Sequence, residues 1–339
     1  MQAIQVKEPG KLDIVDVEKP PMTQPTDVLV KVKAAGICGS DMHIYHGSNP
    51  FTIYPRIIGH EVAGEVEAVG ESVTGLQPGD RVALEPISYC GKCYACRNGR
   101  PNVCVDLEVF GVHQDGGMRE WMVASEEKWH KVDPSISFEA AALAEPMTIG
   151  AQATSRGNVQ AGGTVLIMGA GPTGLACLMM AKRKGAKVFI SDFNVARLEY
   201  ARNIGADEVL NPGEDNIEEV IAEKTNGELV NVVMDAVGTA FTFQQAVTLA
   251  SVAGTVVTLG FNEQPSEIPS LLLTKKELTV VGSRLQTHQF AGVIEQVNKG
   301  GLDPSAMISH QFSFTEIKEA IELLETNPED VRKVVVTFN

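Results

Sequence analysis

Across the first 150 residues, short runs rich in Val alternate apolar with polar positions and stop at Gly or Pro. VLVKVKAAG (28–36), VAGEVEAVG (62–70) and DRVALEP (80–86) carry the pattern. Alternation with such punctuation predicts short strands, so this part reads as a β-rich unit. From about residue 151 the texture changes. TVLIMG (164–169) is a compact apolar strand, 172–185 a helical stretch and KVFISD (187–192) another strand. VARLEYARNIG (195–205) has helical periodicity ending in Gly, and NVVMDAVG (231–238), GTVVTLG (254–260) and ELTVVGS (277–283) add strands. Apolar strands alternating with helices predict a parallel sheet covered on both faces. The tail, about 289–339, is predicted helical before a final strand, KVVVTFN, that is expected to rejoin the first unit. The expected class is α/β: a doubly wound parallel sheet plus a β-rich domain.

Length fits this division, because 339 residues exceed one ordinary domain. A hydrophobic content of 44% supports a sizeable core. With 28 basic against 43 acidic residues the net charge is −15, which argues against nucleic acid or an anionic membrane as partner. The N-terminal segment has no signal-like apolar core, and no apolar run reaches the length of a membrane-spanning helix.

Gly169-Ala170-Gly171-Pro172-Thr173-Gly174 has the G-x-G-x-x-G spacing. It follows a predicted strand and opens a predicted helix, the setting a dinucleotide site requires. Glycines let the backbone approach a pyrophosphate, and the helix N-terminus offers it free N–H groups. The next strand ends at Asp192, 18 residues past Gly174. A carboxylate there accepts the ribose hydroxyls of NAD and repels the 2′-phosphate of NADP.

Four of the six cysteines, Cys90, Cys93, Cys96 and Cys104, fall within fifteen residues. Four thiolates this close can wrap one Zn²⁺ and leave no open position, so this zinc is expected to be structural. Clustered thiols without a secretory signal fit a reducing cytoplasm better than a disulfide scaffold. Cys38 stands apart, in GICGSDMH (36–43), with Gly59-His60-Glu61 some twenty residues on and Glu145-Pro146 before the change of texture. Singly, Cys38 fits a small buried hydrophobe, His60 a core histidine and Glu61 a surface charge. Together they can hold a catalytic Zn²⁺ with one position open. Cys177, Met179 and Met180 read as helix packing, and Asn102 and Asn211 as turn formers.

GHEVAGEVEAVG (59–70) is similar to the signature of the zinc-containing alcohol dehydrogenase family. ICGSD-x-H, the four-cysteine lobe, the GAGPTG turn and Asp192 follow in that family's order, so the resemblance covers essentially the whole chain. The chain resembles the sorbitol dehydrogenase branch, which has Glu-Pro where the alcohol branch has a third ligand cysteine. Closer still, SDMHIYHGSNPF (40–51), YPRIIGHE (54–61) and FGVHQDGG (110–117) resemble bacterial starvation-sensing oxidoreductases and L-galactonate and L-gulonate 5-dehydrogenases. After His43, where animal sorbitol dehydrogenases have a substrate-contacting Tyr, stands Ile44, which argues against sorbitol itself.

The resemblance implies a GroES-like catalytic domain, 1–149 with 289–339, bearing a zinc lobe at about 88–106. A Rossmann NAD-binding domain, 150–288, completes the chain, with the active site in the cleft between the two. It implies two zinc ions, the catalytic one on Cys38, His60 and Glu61. Glu145 would be a fourth ligand or a partner of the zinc water. The metal would lower the pKa of a substrate hydroxyl, and hydride would pass to the nicotinamide. The proton would leave through Ser40 and His43, or through Glu145; both routes stay open. Pro172, Thr173 and Arg197 join the glycines and Asp192 as expected cofactor contacts. Arg284, in VVGSR, and His113 are expected at the substrate, the guanidinium fork suiting a carboxylate. The expected reaction is oxidation of L-gulonate or L-galactonate at C5, with L-idonate or a polyol as alternative. A homo-oligomer, tetramer or dimer, also follows from the resemblance. Two other classes compete. A zinc-free reductase using NADPH is opposed by Cys38, His60, Glu61 and Asp192. A cofactor-binding regulator needs neither a full ligand set nor Ser40.

Overall fold

The computed structural model describes residues 1–338. Two compact units divide the chain: Met1–Glu145 together with the chain from Thr287 onward, and Pro146–Gln286.

In the second unit, six strands among the described residues form one parallel sheet. Their spatial order is Glu208–Leu210, Lys187–Ser191, Thr164–Met168, Val230–Asp235, Ala250–Thr258 and Thr279–Gly282. The chain starts in the middle of the sheet, builds outward to one edge, then returns and builds to the other. Ligands of such sheets bind where that order reverses, beyond the carboxyl ends of the strands. Here the reversal lies between Thr164–Met168 and Val230–Asp235, and the glycine turn follows the first of these. The continuous apolar runs of the sequence are buried as expected: Leu166, Phe189, Val233 and Val256 are fully enclosed, with Ile221 and Val247 from the covering helices. Cys177 and Met180 pack inside the helix Pro172–Arg183, while Met179 is half-buried.

The first unit is built around the strand Asp27–Ile37, buried along most of its eleven residues. It pairs antiparallel with Glu61–Val69 on one side, and on the other with Trp121–Ser125 along its first half and Lys333–Thr337 along its last residues. Gly36 therefore stands between Glu61 and Val335. The tail holds more than helix before its final strand. Ile308–Ser313 pairs parallel with Lys333–Thr337, and its polar sequence, ISHQFS, hides it from hydrophobic patterning. A smaller sheet joins Lys11–Asp16, Gln2–Glu8 and Arg56–Ile57. Among the described residues no helix is long and apolar enough to cross a membrane.

Candidate active site

The strand Asp27–Ile37 ends one residue before Cys38, which caps the helix Gly39–Tyr45. His60 immediately precedes the neighbouring strand, and Glu61 begins it opposite Gly36. Adjacent strand ends thus bring together donors that are some twenty residues apart in sequence. Cys38 Sγ, a ring nitrogen of His60 and a carboxylate oxygen of Glu61 lie within 4.8 Å of one another. His60 and Glu61 are only 7% and 1% exposed. Buried polar atoms normally find partners, yet among the described residues His60 Nδ1 and Glu61 Oε2 have none. Orphaned nitrogen and oxygen donors beside a thiol form a ligand set suited to Zn²⁺, so the residues present fit a catalytic zinc.

Asp41, which sequence reasoning passed over, is fully buried behind this set. It accepts the N–H of Cys38 at 2.8 Å and that of Gly59 at 3.1 Å. Its Oδ1 lies 3.9 Å from His60 Nδ1. A carboxylate behind a ligating imidazole orients the ring and fixes its tautomer. Burial raises the Asp41 carboxyl, while His60 and the two N–H groups pull it back. Burial also disfavours a charged His60, but Asp41 and Cys38 outweigh it and hold the imidazole well above its usual range. Glu145, near the start of the helix Ala144–Arg156, is 5% exposed. Burial pushes its carboxyl up to about 7, with Glu61 adding and His60 opposing. Glu145 feels His60 and Glu61 through charge but stands outside the 4.8 Å group.

Lys333 was also missed. It opens the last strand, is 3% exposed, and its ammonium donates to Glu61 Oε1. Gly36 makes the meeting possible, since a Cβ there would overlap Glu61 Oε2. Farther out, His43 Nδ1 lies 2.9 Å from Ser48 Oγ, and that hydroxyl donates to the His43 carbonyl at 3.3 Å. Ser40 is half-buried in the first turn of the same helix. His113 Nδ1 accepts the N–H of Val109 at 3.1 Å, and its ring stacks on Phe51 with centroids 5.6 Å apart.

In the cysteine lobe, Sγ pairs lie 3.5 Å apart for Cys93–Cys96, 3.8 Å for Cys93–Cys104 and 3.4 Å for Cys90–Cys104. Tetrahedral zinc with ordinary Zn–S bonds sets such pairs at about 3.8 Å. The N–H groups of Cys90 and Asp106 each point at Cys104 Sγ from 3.3 Å. The backbone N–H groups of Cys96 and Val105 draw the Cys93 thiol down to about 6. Burial and the Cys93 thiol then push Cys96 up to about 12. Four thiolates cannot coexist here without a cation among them, and the set fits a closed structural zinc. Between Cys90 and Asp106 the buried residues are Pro101, Asn102 and Cys104, so a core of its own cannot hold the lobe. Asn102, which sequence reading left as a turn former, accepts a hydrogen bond from Thr287 Oγ1.

In the second unit the glycine turn has the expected form. Gly169 has φ +95°, and a Cβ on Gly174 would collide with the Gly169 carbonyl. Gly171 caps the helix, Pro172 is its first residue and Thr173 follows, both half-buried. Asp192 Oδ2 accepts the Ala170 N–H at 2.8 Å and Oδ1 the Asn194 N–H at 2.9 Å. These donors fix the carboxylate beside the turn, and each oxygen retains a lone pair for a ribose hydroxyl. Arg197 lies in the first turn of the helix Val195–Asn203, half-buried. Arg284 is half-buried just past the strand Thr279–Gly282, next to Leu285 at φ +47°.

Two family models match the chain: an alcohol dehydrogenase GroES-like domain over residues 24–134 and a zinc-binding dehydrogenase domain over 172–299. The starvation-sensing protein RspB of Escherichia coli K12 is 40% identical, with both chains covered in full. The L-galactonate-5-dehydrogenase of the same organism is 35% identical over 94% of each chain. Among solved structures, an alcohol dehydrogenase from E. coli CFT073 complexed with NADH superposes with a TM-score of 0.94 at 40% identity, covering 100% of this chain and 99% of the other.

Two candidate metal sites of unlike character predict unlike variants. Cys93→Ser should unfold the lobe, at a cost of at least about 3 kcal/mol, because a closed zinc site contributes folding energy directly. Cys38→Ser should release the other metal and abolish turnover while costing about 1 kcal/mol of stability. Metal analysis with denaturant titration checks both, and either variant retaining the full metal content contradicts the assignment.

Proposed function

Because the chain belongs to the zinc-binding alcohol dehydrogenase family and is an NAD-dependent oxidoreductase, we propose that it oxidises a secondary alcohol of a sugar acid to the ketone. The proposed substrates are L-gulonate and L-galactonate, oxidised at C5. The buried set of Cys38, His60 and Glu61, with donor atoms orphaned beside a thiol, carries this reading. Cys38, His60 and Glu61 would hold the reactive zinc, with Glu145 as a fourth ligand or a hydrogen-bond partner beside it, and the four-cysteine lobe would hold a second ion. Bound zinc supplies Lewis acidity toward the substrate hydroxyl, and bound NAD supplies the hydride acceptor.

The chain's own residues supply proton transfer, orientation and specificity. Two groups are suited to take the hydroxyl proton. Glu145, pushed up to about 7, is poised near neutrality. His43, with Ser48 Oγ 2.9 Å from its Nδ1, is the other, and Ser40 would relay a proton toward it. Ser40, His43 and Glu145 are the proposed catalytic residues. Gly169, Gly171, Pro172, Thr173, Gly174, Asp192 and Arg197 are the proposed cofactor contacts. Two buried carboxylates, Glu61 and Glu145, make the pocket polar, which favours a substrate with several hydroxyls over a simple alcohol. Arg284 and His113 are the proposed substrate contacts, Arg284 for the carboxylate.

Steady-state kinetics on L-gulonate, L-galactonate, L-idonate, sorbitol and ethanol tests the substrate class. A sugar acid should give the highest kcat/KM, and Arg284→Ala should reduce it more for acids than for neutral polyols. Ethanol as the best substrate would contradict the polar-pocket argument. For the cofactor, NADP forfeits hydrogen bonds to Asp192 and sets its phosphate against a carboxylate. That predicts a preference for NAD on the order of a hundredfold. Asp192→Ala should narrow it, and equal kcat/KM with both cofactors in the unaltered enzyme would refute the role.

A further inference from the structure

Lys333 has no part in the reaction proposed above, yet it lies deeper than almost any lysine does. Lysine is seldom fully buried unless it is paired. Here the side chain is 3% exposed and its ammonium ends on Glu61, 272 residues away in sequence. The sheet register explains the encounter. Val335 and Glu61 flank Gly36 on opposite sides, and Lys333 precedes Val335 by two residues, so its side chain leaves the same face of the sheet. The side chain missing at Gly36 leaves room for Glu61 on that face.

The surroundings of the ammonium are anionic. Glu61, Cys38 and Glu145 all act on it through their charge. These are the groups that a metal would face. Glu61 divides its two oxygens: Oε1 accepts from Lys333, and Oε2 is buried without a partner. An ion pair buried only for stability would satisfy both. One oxygen held on a fixed cation and one left open is the arrangement of a carboxylate shared between a resident charge and a visiting one.

We propose that Lys333 is a built-in counter-cation of the metal centre, compensating Glu61 while the metal is absent and leaving that carboxylate one oxygen, Oε2, to offer a metal. The inference rests on the reading of Cys38, His60 and Glu61 as a metal centre. Lys333 is a positioning residue and touches no substrate. Its charge stabilises the metal-free pocket and opposes a dication in it. Losing that charge must therefore harm the metal-free state more than the loaded one. A lysine that merely orients a ligand would behave in the opposite way, since such partners strengthen metal binding.

The experiment compares full-length wild type, Lys333→Met, Lys333→Arg and the double variant Glu61→Gln/Lys333→Met. Zinc affinity at the Cys38 site is read by chelator competition, with the four-cysteine site as internal reference, and melting temperature is read with and without zinc. Lys333→Met should bind zinc at least about tenfold more tightly, as expected when one charge near a dication is removed from a partly buried site. Its melting temperature should depend on zinc more steeply than that of the wild type. Lys333→Arg should stay close to wild type, and the double variant should lose the added zinc dependence. Unchanged or weaker zinc binding in Lys333→Met, with the wild-type site intact, overturns the counter-cation role alone. A wild type with no metal at Cys38 overturns the metal-centre reading and this inference with it. Should Lys333→Met fail to fold even with zinc, the double variant decides. Its folding supports the role, and its failure overturns it.

Discussion

Like charges held together inside a protein raise one another's energy, and the pocket at the end of the strand Asp27–Ile37 holds more of them than it could ionise unaided. Cys38, Asp41, Glu61 and Glu145 converge there, three of them at most 5% exposed. Much of the first unit answers that constraint. Backbone N–H groups of Cys38 and Gly59 hold Asp41, His60 sits beside it, and Lys333 meets Glu61 from the last strand. What stays uncompensated, at Glu61 Oε2, marks the demand for a further cation. The cysteine lobe faces the same constraint in harsher form, with four sulfurs in mutual contact and almost no buried apolar residue around them.

The second unit obeys different physics. Its sheet buries Val, Ile and Leu on both faces, and its helices cover them with the same residue types. The dinucleotide turn relies on backbone geometry: a left-handed Gly169, a close approach at Gly174 and a helix N-terminus behind them. Asp192 is fixed beside that turn by two N–H groups. One unit thus manages charge and the other manages shape. That division suits a reaction in which a hydroxyl must lose a proton while a cofactor is held still.

The two units were legible in the sequence to very different depths. Strands such as Thr164–Met168 and Lys187–Ser191 are short, with an apolar centre and a Gly close before them, so patterning finds them within a residue. The G-x-G-x-x-G turn and the cysteine spacing are local, and local spacing survives into geometry. Ile308–Ser313 was missed because half-exposed strands need no apolar alternation. Asp41 was missed because an acid three residues after a helix cap reads as capping chemistry, and it does accept the Cys38 N–H. Lys333 was invisible for a different reason. A lysine opening an apolar strand reads as a solvated end, and only the sheet register brings it to Glu61. Glu145 was legible as a member of the site, but whether it ligates depends on distances that no spacing rule contains.

The proposed function has two cations complete two different charge clusters in the first unit, one of them buried. Anomalous diffraction at the zinc edge, on crystals of protein purified without added chelator, tests it most directly. The account predicts two peaks per chain, one enclosed by Cys90, Cys93, Cys96 and Cys104 and one among Cys38, His60 and Glu61. A fully active protein with a peak at the lobe alone, and none beside Cys38, would contradict it.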